Sequence, residues 1–80
     1  MDLEGGIKEI IVREFAVDKE EVLSEAHLQY DLGGDSLALL NLAEALGKRY
    51  EIEIEGEDLV DLANVGELVK LVESKISSRS

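Results

Sequence analysis

The sequence has no cysteine and no proline in its 80 residues, and its only histidine is His27. Without cysteine the chain forms neither disulfides nor thiolate metal sites, and a single imidazole excludes a histidine-rich zinc site. We therefore expect no bound metal. Because there is no proline, we expect the helices to end at glycines and polar caps.

Membrane-spanning and targeting segments are also missing. No apolar run approaches the roughly 18 residues that cross a bilayer. The first four residues, Met-Asp-Leu-Glu, lack the basic and apolar regions of a signal peptide. We therefore expect a cytoplasmic protein that does not insert into membranes.

Basic residues are scarce, with 8 Lys and Arg against 19 Asp and Glu, which gives a formal charge of −11. So acidic a surface repels phosphate backbones, and we expect basic protein partners and no nucleic acid. The charge is uneven, with a net −5 over residues 16–35, −6 over residues 51–61 and +1 over residues 36–50. We expect a monomer whose fold is loosened at low salt by repulsion between its two acidic segments.

Apolar residues at helical spacing predict two long helices, over residues 3–15 and 36–50. The same spacing predicts a final helix over residues 65–76, and residues 57–62 form a short helix before it. We therefore predict an all-α fold, a small four-helix bundle with a long loop between helices 1 and 2 and a short third helix. We expect a single domain over residues 1–80.

The predicted helices are joined by irregular segments. Residues 16–35 form the long loop, with one short turn at residues 19–23. Residues 51–55 alternate Glu and Ile as a strand does, but no second strand exists to pair with them. We interpret them as an extended connector that brings Ile54 into the core. A frayed tail is expected at residues 77–80.

The most informative segment is Asp-Leu-Gly-Gly-Asp-Ser-Leu, which runs from Asp31 to Leu37. Two adjacent glycines between aspartates interrupt regular structure, and Asp35 or Ser36 would begin the second helix. A segment of this composition is often only a loop and a helix cap. A hydroxyl at a helix N-terminus, however, places any attached phosphate beside unpaired backbone N–H groups.

This segment closely resembles the attachment motif of the acyl and peptidyl carrier proteins. The resemblance continues without a gap from Asp31 to the last helix. The leucine spacing agrees, and Tyr50, Ile54, Leu62 and Val65 fall where that family places core residues. The first helix agrees in its pattern only.

The resemblance implies a carrier without catalysis of its own, with a covalent 4′-phosphopantetheine arm on Ser36. A phosphopantetheinyl transferase would install the arm, and its thiol would hold an acyl group as a thioester. The partners would then be acyl-loading and acyl-transfer enzymes, such as a ligase, a ketosynthase or an acyltransferase.

Neighbours of Ser36 receive roles on the same basis. Gly33 and Gly34 leave space for the arm and for the enzyme that installs it. Asp35 caps the helix and presents charge to the transferase. Leu37 is expected to be an exposed apolar contact for partners, whereas Leu32 is expected in the core.

The outward face of the second helix departs from the family pattern. On helical spacing from Leu37, this face holds Leu40, Asn41, Glu44 and Lys48, which we interpret as the partner-binding face. Fatty-acid-synthase carriers usually have carboxylates where Asn41 and Lys48 stand. The departure favours a specialised fatty-acid or polyketide-type pathway, with partner recognition that depends more on apolar contact than on charge.

Other functions remain as alternatives. The Leu-Gly-Gly-Asp-Ser-Leu segment also resembles peptidyl or aminoacyl carriers of peptide-synthetase pathways, and an acidic helical interaction module without an arm would share the fold. Serine hydrolysis is disfavoured, because no Gly-x-Ser-x-Gly elbow is present and the only candidate base is His27, interpreted as an ordinary loop residue. A calcium loop starting at Asp31 fails at Gly33, Ser36 and Leu42.

Overall fold

The computed structural model describes residues 2–79, and within this range it contains helices and turns but no strand. Three long helices and one short helix confirm the predicted all-α four-helix bundle with its long loop between the first two. The elements are α1 (Leu3–Phe15), a 3-10 turn (Lys19–Glu21), α2 (Ser36–Tyr50), α3 (Gly56–Val60) and α4 (Val65–Ser78). Within the described range, no helix is both long enough and apolar enough to cross a membrane.

Polar side chains start the long helices. The carboxylate of Asp2 accepts a hydrogen bond from the Gly5 N–H at 3.0 Å and caps α1. Asn64 caps α4 by accepting from the Glu67 N–H at 2.9 Å. The carboxylate of Glu67 reaches back to the Ala63 N–H at 2.8 Å, one residue beyond the usual capping box.

Two helices end without glycine, contrary to the expectation from the sequence. Ala16 follows α1 and Glu51 follows α2, and each has a left-handed φ of 54°. This conformation is unfavourable for a residue with a Cβ. It is retained because the chain must turn at once so that Val17 and Ile52 pack against the core.

The core is apolar, and no polar or charged side chain is buried among the described residues. The long loop contributes to this core as fully as the helices do, which ties it to the bundle. Leu32 and Ile54 are buried as predicted, whereas Tyr50 and Leu62 are half-buried against the core. The buried side chains are Ile7, Ile10, Ile11, Val22, Ala26, Leu28, Leu32, Leu39, Leu42, Ala43, Leu46, Ile54, Leu59, Val65, Leu68 and Val72.

Element boundaries differ from the sequence prediction by a few residues. The turn at Lys19–Glu21 is shorter than predicted. α3 starts at Gly56, because the carboxylate of Asp58 accepts from the Glu55 N–H at 2.9 Å and fixes the first turn there. α4 continues to Ser78, into the expected frayed tail, and Ser80 lies outside the described residues.

Hydrogen bonds to the start of α4 brace the long loop. The Val65 N–H donates to the Ala26 carbonyl at 2.9 Å, and the Gly66 N–H donates to the Ser24 carbonyl at 2.8 Å. Both donors belong to the first turn of α4, whose N–H groups have no partner within the helix. The loop therefore enters the α2 region with a fixed backbone.

Candidate functional site

The backbone that leads into α2 is anchored at Gly34. Its N–H donates to the carbonyl of buried Leu28 at 2.8 Å. A Cβ at Gly34 would lie 2.7 Å from that carbonyl oxygen and 2.8 Å from Cε2 of Phe15, so only glycine fits. The missing side chain makes room for Phe15 and thus for loop packing, whereas the sequence had suggested room for an attached group.

The residue before it, Gly33, is a glycine for a different reason. Gly33 has a φ of 71°, which favours glycine, and a Cβ there would meet no atom within 4 Å. A side chain at position 33 would therefore extend into open space, whereas one at position 34 would not fit.

Ser36 is the first residue of α2, and its side chain is exposed. Asp35 caps the helix as predicted, because its carboxylate accepts from the Ala38 N–H at 2.9 Å. The N–H groups of Ser36 and Leu37 lie in the first turn, where no helical carbonyl is available to them. The Ser36 hydroxyl thus stands at the positive end of a 15-residue helix, where an anion is stabilised.

A surface groove of about 690 Å³ starts at Ser36 and runs between α2 and α3. The two helices are in contact at Gly56, where a Cβ would lie 3.4 Å from Cα of Leu40, an ordinary van der Waals distance. Apolar side chains form most of the wall and three carboxylates lie at the edge. The lining residues are Ser36, Leu39, Leu40, Ala43, Glu44, Ile54, Glu55, Gly56, Glu57 and Val60.

Exposed apolar side chains lie around the start of this groove. Leu37 is 65% exposed, Leu40 55% and Val60 50%. Leu37 is therefore exposed and does not belong to the core, as expected from the sequence. Sequence reasoning missed Val60, because only the packing of α3 against α2 brings it to the groove.

Farther along α2, the outward face is polar and mixed in charge. Asn41, Glu44 and Lys48 are exposed, and Nζ of Lys48 lies 3.7 Å from Oε1 of Glu44. Arg13 of α1 and Arg49 line the same depression beside them. Sequence reasoning missed Arg13, which reaches this surface only because α1 packs on α2.

His27 is not arranged as a base for Ser36, because Nδ1 accepts backbone hydrogen bonds and the neutral ring then carries its proton on Nε2. Its Nδ1 accepts from the Gln29 N–H at 3.1 Å and from the Tyr30 N–H at 3.2 Å. Within residues 2–79, no group of three or more Asp, Glu, His or Cys side chains is arranged to hold a metal ion.

Most of this sequence is similar to that of known proteins. Residues 6–72 match the protein family described as "Phosphopantetheine attachment site". A curated relative, the "Acyl carrier protein" of Wolinella succinogenes, is 40% identical over 68 residues. That match covers 85% of this chain and 90% of the relative.

Proposed function

Because the chain belongs to the acyl carrier protein family, whose members are carriers and not catalysts and bear a covalent 4′-phosphopantetheine arm, we propose that Ser36 is the residue that receives the arm. The arm supplies a thiol that holds an acyl group as a thioester. This chain has no cysteine and therefore no thiol of its own.

One observation carries the proposal: Ser36 is an exposed hydroxyl at the first position of a long helix, beside an apolar groove. The residues fit the arm. Its phosphodiester would lie next to the N–H groups of Ser36 and Leu37, where a helix terminus stabilises an anion. The open side of Gly33 leaves space for the transferase.

The groove favours an acyl group over an aminoacyl group. Leu39, Ala43 and Ile54 form an apolar wall that begins beside Ser36. Burial of methylene groups on such a wall is favourable by about 0.8 kcal/mol each, whereas a charged amino group would have to be desolvated. An acyl carrier is therefore a better fit than a peptidyl or aminoacyl carrier.

The attachment site is tested by intact mass. The protein is incubated with coenzyme A, magnesium and a broad-specificity phosphopantetheinyl transferase, and we expect a gain of one phosphopantetheine. Ser36→Ala should fold normally, since Asp35 supplies the cap, and should gain nothing. Ser74→Ala, which changes an exposed serine within α4, is the matched control and should be modified as the wild type is. A modified Ser36→Ala protein would contradict the proposal.

We further propose a specialised fatty-acid or polyketide-type pathway in the cytoplasm, served by a single domain over residues 1–80. Support comes from the polar face of α2. It includes Asn41, Lys48 and Arg49, and Glu44 is the only acidic residue of the helix. Partners would include an acyl-loading ligase, a ketosynthase and an acyltransferase.

The class of pathway is tested by loading. We expect an acyl-activating ligase to load the modified protein faster than an aminoacyl-activating enzyme does. The reverse order would favour the peptidyl-carrier alternative.

A further inference from the structure

His27 is the centre of a self-bonded turn in the long loop. Its ring nitrogen Nδ1 accepts from two backbone donors, the N–H groups of Gln29 at 3.1 Å and Tyr30 at 3.2 Å. Its carbonyl accepts from the N–H groups of Asp31 at 3.0 Å and Leu32 at 3.1 Å. Since Nδ1 is an acceptor, the neutral ring carries its proton on Nε2.

Two further contacts fix the ring and the backbone of this turn. The carboxylate of Asp31 accepts from the His27 N–H at 2.7 Å. The imidazole stacks on Tyr30 with ring centroids 4.3 Å apart and planes inclined by 27°. The side chain of His27 thus has one orientation, in which Nδ1 faces the backbone.

The turn is connected to Ser36 through one residue. Leu28 lies between His27 and Gln29, inside the turn, and its side chain is fully buried. Its carbonyl accepts the Gly34 N–H at 2.8 Å, and Gly34 is two residues before Ser36. The direction of the Leu28 carbonyl depends on the backbone of the turn. Nδ1 of His27 fixes that backbone, because it accepts hydrogen bonds from the next two residues, Gln29 and Tyr30.

We propose that His27 is a positioning residue for Ser36: its Nδ1 fixes the turn over residues 27–32, and through the Leu28 carbonyl and Gly34 it fixes the backbone that presents the serine hydroxyl. The inference rests on the proposed attachment at Ser36. It assigns a role to a residue that the sequence suggested was an ordinary part of the loop.

Two substitutions separate the position of the acceptor from the presence of a polar side chain. In His27→Asn, the amide oxygen occupies the place of Nδ1, so both backbone bonds are retained. In His27→Gln, the oxygen lies one bond farther out, near the place of Nε2, and the two N–H groups lose their acceptor. The variants differ by one methylene group, and both lack the imidazole.

The rate of phosphopantetheine transfer to Ser36 and the hydrogen exchange of the Gly34 amide are measured on the full chain. We expect His27→Gln to lower the transfer rate about five- to tenfold and to speed Gly34 exchange, as the loss of two backbone hydrogen bonds implies. His27→Asn should stay within about twofold of the wild type in both measurements.

The outcomes distinguish this inference from the assignment of Ser36. Equal transfer rates in the Asn and Gln variants would overturn the role of Nδ1. Faster Gly34 exchange in His27→Gln with no loss of transfer rate would overturn the link to Ser36. A wild-type protein that gains no arm would instead refute the attachment site itself.

Discussion

α2 begins and ends on different surfaces. At its start, Ser36 lies beside the exposed side chains of Leu37 and Leu40. Two acidic segments, residues 16–35 and 51–61, precede and follow the helix in the chain. Toward its end, the exposed side chains are charged and Lys48 is paired with Glu44 at 3.7 Å. The same helix therefore offers apolar area at the serine and polar area 12 residues farther along the chain.

The difference separates two kinds of partner contact. Apolar area that is buried on docking contributes in proportion to the area and is not screened by salt. An exposed ion pair contributes little, because water and salt weaken it and two flexible side chains must be ordered. Partner enzymes should therefore derive most of their affinity from the start of α2.

The largest expected effect follows from this contrast between the ends of α2. Leu37→Ala should weaken productive docking by up to about 1.5–3 kcal/mol, the value of one buried leucine side chain. Glu44→Ala should cost only about 0–1 kcal/mol. The measurement is the rate of arm transfer or acyl transfer with a cognate partner for both variants.

Ionic strength tests the physical origin of that difference. The defect of Leu37→Ala should persist at high salt, because apolar burial is not screened. If Glu44→Ala proves more damaging and its defect fades with salt, α2 docks electrostatically and the interpretation of Asn41 and Lys48 is wrong.

Substitutions at two glycines extend the comparison between the two ends of α2 to the stability of the fold. At Gly34, before α2, an added Cβ would overlap the Leu28 carbonyl oxygen at 2.7 Å and the Phe15 ring at 2.8 Å. Near the end of α2, a Cβ at Gly47 would lie 3.1 Å from the Ile52 carbonyl oxygen, a close contact that a shift of a few tenths of an ångström would relieve. Gly34→Ala should therefore lower the free energy of unfolding by about 1–3 kcal/mol.

Gly47→Ala is the matched control for that substitution. The gain of about 1 kcal/mol in helix propensity opposes the close approach, so the net change should stay within about 1 kcal/mol. Urea unfolding of both variants gives the two values. A Gly34→Ala protein as stable as Gly47→Ala would mean that the entry to α2 is not closely packed.

The same features explain what the sequence could predict. Local signals sufficed for the helices and for the Asp35 cap, because spacing and capping act within a few residues. Leu32 and Ile54 were placed in the core from the resemblance to a known family and, for Ile54, from the alternation of Glu and Ile as well. The roles of Gly34 and Val60 could not be predicted, since each depends on a neighbour that only tertiary packing supplies.

His27 illustrates the limit most clearly. Its sequence neighbours contain nothing that signals an acceptor role, and histidine is not a usual capping residue. The role comes from the backbone path of residues 27–32, which buried Leu28 and Leu32 fix against the bundle. Packing against residues distant in the sequence thus determines the role of the local hydrogen bonds to His27.

The smallest expected effect concerns the charges around the start of α2. No carboxylate of residues 16–35 or 51–61 forms an ion pair within the described part of the chain, where the three ion pairs use Glu4, Glu14 and Glu44. The Cα radius of gyration is 11.3 Å, so these charges repel across distances similar to the Debye length of about 10 Å at 0.1 M salt. Salt should therefore raise the melting temperature of the protein.

Salt acts on more than charge repulsion, so two charge-neutralising substitutions are compared at each salt concentration. Asp61→Asn removes an exposed, unpaired acid that follows α3 next to the groove residue Val60, whereas Glu44→Gln removes an acid paired with Lys48. At low salt, we expect Asp61→Asn to melt a few degrees higher than Glu44→Gln, since about 1 kcal/mol corresponds to about 4–8 °C in a domain of this size. The difference should vanish near 1 M salt, where the Debye length is about 3 Å. A difference that is equal at both salt concentrations would show that self-repulsion does not limit the stability of this end of the molecule.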